Sequence, residues 1–127
     1  MHPEFHRLCN ARHELQFQAD CLRTCMNQDV ADRYHSLVKV VECLFGSEQR
    51  LMEDYGFPGR QLHLEQHARV LRALHCVHAA VLQGATDHGR HIGSCTLMGW
   101  LRLHEDTVDA AFSVWVDCCE SGMINAH

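Results

Sequence analysis

The sequence predicts an all-α protein, an up-down-up-down antiparallel four-helix bundle. Three observations carry that prediction. Apolar residues recur at three- and four-residue steps through four long stretches. Strand-type alternation is nearly absent. Punctuation is sparse, with two prolines, Pro3 and Pro58, and glycines clustered at 56–59, 84–93 and 122. A chain of 127 residues is one domain, 1–127, long enough to bury a core and short enough that four helices use nearly all of it. Short connections make consecutive helices antiparallel neighbours.

Helix A is expected at about 10–26, where Leu15, Phe17, Cys21, Leu22 and Cys25 stand among charged residues before a polar Asn27-Gln28-Asp29 turn. Helix B, about 29–55, carries Tyr34, Leu37, Val41, Leu44, Glu48, Leu51 and Tyr55 as one stripe. Gly56-Phe57-Pro58-Gly59 ends it, because glycine allows a left-handed turn and proline cannot continue the ladder. Helix C, about 60–83, puts His63, His67, Val70, Leu71, Leu74 and Val77 on one face. Gly84 to Arg90 is expected to be a loop. Helix D follows at about 92–120, with Leu97, Leu101, His104, Val108, Phe112 and Val116 turned inward.

The formal charge is −5, with acids and bases interspersed and no long Lys/Arg run, which argues against nucleic acid as a partner. Nowhere do eighteen apolar residues follow one another, so no membrane partner is expected and the protein is read as soluble and cytoplasmic. The eight cysteines form no C-x-x-C pair and are expected to be free thiols packed as small apolar residues, with a thiol redox role open for Cys118-Cys119. Among twelve histidines, His2 and His127 at the ends and His88 and His91 in the expected loop are read as exposed, and His35, His75 and His78 as satisfied core residues.

His63-Leu-Glu-Gln-His67 and His104 with Asp109 are different. They place three imidazoles and a carboxylate on two helices in an order suited to iron, and Glu48 offers a second carboxylate from a third helix. His63 and His67 are one turn apart, so both Nε2 atoms can meet one ion. Five polar groups on three inward stripes are costly to bury without a shared cation. Phe45, Met52, Trp100 and Phe112 are expected to pack beside the site and keep bulk water from it.

The four segments together resemble the hemerythrin family of non-haem di-iron proteins. The likeness lies in Asn10-Ala-Arg-His13-Glu-Leu on A, Leu44-Phe45-Gly-Ser-Glu48-Gln49-Arg-Leu51-Met52 on B, His63-x-x-x-His67 on C and His104-x-x-x-x-Asp109 on D. The resemblance implies that His63, His67 and His104 hold one iron, that Glu48 and Asp109 bridge to a second, and that His13 binds the second. His6 is a further candidate if helix A begins at Pro3. The family's remaining second-iron histidine falls at Leu44, which coordinates nothing. Cys43, Glu42 and Glu14 are the available replacements; Cys43 is expected to be a buried structural thiol, and Glu42 and Glu14 solvated charges on outer faces.

By that resemblance the cofactor is iron, two per chain and bridged by carboxylates, with an unusually open second iron. The implied function is binding or sensing of dioxygen, with NO or peroxide as further small ligands. Two alternatives stand beside it: a di-iron peroxidase or NO-consuming enzyme, and a metal-stabilised bundle acting as an interaction module for a protein partner. No substrate-recognition motif points to a dedicated enzyme.

Overall fold

The structure is a computed structural model that describes residues 2–123. The side chain of Val108 and all of His127 lie outside the described residues. Helix α1 (Glu4–Thr24), a 3-10 turn (Asn27–Asp29), α2 (Val30–Asp54) and α3 (Arg60–Leu82) are followed by a kinked fourth rod. That rod consists of α4 (Thr86–His91), a π turn (Ile92–Thr96), α5 (Leu97–His104), a second π turn (Glu105–Asp109) and α6 (Ala110–Glu120). The described residues contain no strand, and the four rods pack as an all-α four-helix bundle. Among them, no helix is long and apolar enough to cross a membrane.

Two ends of the chain segments differ from the sequence reading. Helix α1 begins at Glu4 rather than near residue 10, because Phe5 and Leu8 pack on the core and the buried Glu4 carboxylate accepts hydrogen bonds from Arg50 Nε at 2.9 Å and Arg7 Nη1 at 2.8 Å. The fourth rod begins at Thr86, inside the stretch expected to be a loop. Its glycines permit close approach instead of breaking the helix. A Cβ on Gly89 would collide with Val81, and one on Gly93 would collide with Leu22 and come 2.8 Å from Leu37.

Where chain direction does reverse, glycine has the expected role. Gly56 and Gly84 adopt φ of 59° and 106°. Their amides and those of Phe57 and Ala85 bond back to Glu53, Val81, Met52 and Ala80, closing the last turns of α2 and α3. The end of α1 is closed differently. Arg90 Nη1 donates to the carbonyls of Leu22 and Cys25, both at 2.8 Å, and Nη2 donates to Asn27 Oδ1. The bare carbonyls of a helix end are thus satisfied by a side chain from the fourth rod.

The core is continuous from Leu8, Leu15, Ala19 and Leu22 of α1 through the α2 stripe to Leu74, Leu97, Leu101, Phe112 and Val116. Phe17, placed among the apolar residues of helix A, is 58% exposed. All eight cysteines are free. None is fully buried, contrary to their reading as core residues, because each falls beside an inward stripe rather than on it. His35 and His75 are likewise exposed, and His78 is half-buried against the Tyr34 ring.

Candidate metal centre

Glu48 stands on the inward stripe of α2, His63 and His67 lie one turn apart near the start of α3, and His104 closes α5. All four are buried, at 4% exposure or less. Glu48 Oε2 lies 2.7 Å from His63 Nε2, 3.0 Å from His67 Nε2 and 3.6 Å from His104 Nε2. The His63 and His104 Nε2 atoms are 3.1 Å apart. One donor atom from each residue falls within 4.8 Å of all the others. Donors held at about 2.1 Å from one ion stand about 3.0 Å apart at octahedral and about 3.4 Å at tetrahedral angles. The close contacts here have the edge lengths of one coordination shell, so the residues fit a metal ion.

Packing fixes the rings. Phe45 stacks on His67 with centroids 3.8 Å apart and planes 1° from parallel, and Trp100 stacks on His104 at 4.7 Å. Behind His67, the Gln49 amide lies 3.1 Å from Nδ1. If Nε2 binds an ion, Nδ1 carries the hydrogen and can donate it to the Gln49 amide oxygen, since the two ends of an amide interchange by a flip. With an ion on Nε2, the neutral imidazole would therefore be held in the ligating tautomer.

The second π turn explains how Asp109 enters the site. On a regular α-helix a residue five positions on is rotated about 140° from the first, which would carry Asp109 away from His104. A π turn, with i→i+5 closure, brings it back toward the same face. Asp109 Oδ1 then lies 3.8 Å from His104 Nε2, while Oδ2 accepts a hydrogen bond from Arg12 Nη2 at 3.0 Å.

The charges are arranged around Glu48. Burial pushes its carboxyl upward, but the nearby His104 imidazole and hydrogen bonds from His63 and His67 more than reverse this and hold it below the usual carboxylate range. Burial lowers the His67 pKa despite the opposing attraction of Glu48. Asp109 is pushed up to about 6, first by burial and then by the negative charge of Glu48, against the pull of His104 and Arg12. A cavity of about 450 Å³ opens between α1 and α6, lined by Phe5, Leu8, Arg12, Met52 and Phe112 and reaching Glu48 and Asp109.

Of the six residues expected to ligate, four converge, Asp109 stands beside them, and His13 does not join them. His13 is exposed, as is His6. The inward face of α1 runs Leu8, Arg12, Leu15, Ala19, Leu22 at helical spacing, so position 12 is turned toward the site and position 13 away from it. Leu44 is 1% exposed, one turn before Glu48. None of the possible replacements approaches the cluster: Cys43 is exposed, Glu42 faces Lys39 at 3.8 Å and Glu14 accepts from Gln18 at 2.9 Å. Arg12 and Gln49 are the two site residues that the sequence reading passed over.

No family model, curated protein or solved structure matches the chain. The helical bundle and the buried His/Glu cluster that could hold a metal ion are consistent with a hemerythrin-like fold.

Proposed function

We propose that this is a non-haem iron protein of the hemerythrin type, which binds or senses dioxygen or a related diatomic molecule such as NO. The observation that carries this reading is the convergence of three imidazoles and one carboxylate, all buried, within 4.8 Å of one another. Imidazole with carboxylate suits iron, and bound iron supplies a redox-active centre with exchangeable positions for a small ligand.

The chain's own residues supply the rest. Phe45 and Trp100 clamp the ligating rings, Gln49 holds the His67 tautomer, and Leu44, Met52 and Phe112 present an apolar surround. That surround favours an uncharged diatomic over water and ions. The cavity beside Glu48 and Asp109 provides the way in.

The same cavity supports a second reading, turnover of peroxide or NO at the same iron. Its volume of about 450 Å³ lies in the range of small-molecule sites and leaves room for a second reactant and for products. The test is anaerobic loading with ferrous iron, followed by metal analysis and optical titration with dioxygen, NO and hydrogen peroxide. A stable optical change reversed by removing the gas supports binding or sensing, and catalytic loss of NO or peroxide supports the second reading. Protein that takes zinc alone and responds to none of the three refutes both.

A further inference from the structure

We propose that the centre holds a single metal ion, with the guanidinium of Arg12 standing as a built-in cation where a second ion would otherwise share the carboxylates. The inference rests on the proposed function for the first ion and departs from it on the second.

Asp109 presents its two oxygens in different directions. Oδ1 faces His104 Nε2 at 3.8 Å, on the side of the ligand cluster, and Oδ2 accepts from Arg12 Nη2 at 3.0 Å. This is the disposition of a carboxylate bridge with a ligand set on one side and an organic cation on the other. Arg12 Nε also lies 3.3 Å from Glu105 Oε1, so two acids hold the guanidinium at the edge of the cavity that Glu48 lines. An arginine does not lose its proton in proteins, so its charge is permanent and it cannot become a ligand.

Among the described residues, the remaining surroundings give a second ion no nitrogen donor. Leu44, one turn before Glu48, is buried and has no donor atom, Leu8 and Met52 line the cavity with apolar groups, and His13 points to solvent. A divalent ion there would have to share Glu48 and Asp109 with the first ion, displace Arg12 from Asp109 and accept its repulsion at short range. Arg12 instead neutralises Asp109 without any metal, and the first site keeps its four donors.

Nuclearity has a chemical consequence. One iron exchanging between its ferrous and ferric forms transfers one electron. Reversible two-electron reduction of dioxygen draws on two such ions. A one-ion centre is therefore matched to diatomic ligands that exchange no more than one electron with it.

The experiment loads the full chain anaerobically with excess ferrous iron, removes unbound metal, and counts ions per folded chain by native mass spectrometry and elemental analysis. The expected count is one. Two ions would overturn the inference while leaving the proposed function intact, and none would overturn both. Leu44→His alone is expected to stay at one ion, since the guanidinium remains, whereas Arg12→His with Leu44→His is expected to reach two. A folded double variant still holding one ion would overturn the role given to Arg12 and Leu44. If the double variant fails to fold, the half-exposed site of Arg12 allows Arg12→His alone, which is expected to raise occupancy above one at high iron. An unchanged count there overturns that role equally.

Discussion

Replacing Glu48 by glutamine keeps the side-chain volume but removes the negative charge on which three imidazoles converge. Two effects separate by adding or withholding iron. In the metal-free protein, hydrogen bonds from the histidines outweigh the burial of the carboxylate and hold it ionised, so neutralising it destabilises the fold, by about 1–2 kcal/mol as charge-assisted bonds become ordinary ones. The larger effect is on metal linkage. At ferrous iron about 100-fold above its dissociation constant, binding stabilises the folded chain by about 2.7 kcal/mol. A domain of 127 residues has an unfolding entropy of about 0.27 kcal/mol/K, so the wild-type Tm should rise by about 10 °C. If the variant binds about 100-fold more weakly, the same iron stabilises it by only about 0.4 kcal/mol, or about 1–2 °C. Anaerobic differential scanning calorimetry with and without iron reads both quantities. A Glu48→Gln protein that keeps the full iron-dependent rise would refute the argument, because Glu48 would then not be a ligand.

Further expectations concern the supports of the site and of the bundle. Gln49→Leu removes the partner of His67 Nδ1 and should weaken metal binding about 10- to 100-fold, measured by chelator competition, with little change in metal-free Tm. Gly93→Ala should destabilise the fold by up to about 2 kcal/mol in urea unfolding, since collision with Leu22 and Leu37, costing about 1–3 kcal/mol, outweighs a gain in helix propensity of about 1 kcal/mol. A stabilised variant would show that the helices can separate freely there. Arg90→Ala strips the bonds to Leu22, Cys25 and Asn27 and should cost about 1–3 kcal/mol, with faster amide exchange at the end of α1. Glu4 is held below its ordinary pKa, chiefly by its hydrogen bond from Arg50. A lowered acid stabilises the fold above the unfolded value of 4.5 and loses that contribution as pH falls. Glu4→Gln should therefore lower Tm at pH 7, and the difference should close on acidification; a constant difference across that range would argue against it.

Much of the bundle is legible along the chain because burial on a helix follows a period. The stripe of Tyr34, Leu37, Val41, Leu44, Glu48 and Leu51 is buried throughout, and Gly56 reverses the chain where the sequence indicates. Glycines 89 and 93 are harder to read, since a helix breaker and a point of close helix approach have the same side chain. Only the neighbours Val81, Leu22 and Leu37 distinguish them. The face of α1 was available in principle: Leu8, Leu15, Ala19 and Leu22 define a stripe that includes position 12 and excludes 13. Phe17 and Cys21, apolar but off that stripe, obscure it.

The sequence by itself determined the helices and which candidate donor groups they carry, since periodicity and His-x-x-x-His spacing are local properties of one chain segment. It also determined that Leu44 cannot ligate. Only the tertiary structure decided which donors meet. The π turn swings Asp109 toward His104, helix packing gathers Glu48 with three imidazoles, and the rotation of α1 turns Arg12, not His13, to Asp109. A rotation of about 100° between successive residues separates a histidine in solvent from an arginine beside the candidate metal site, and packing sets that rotation.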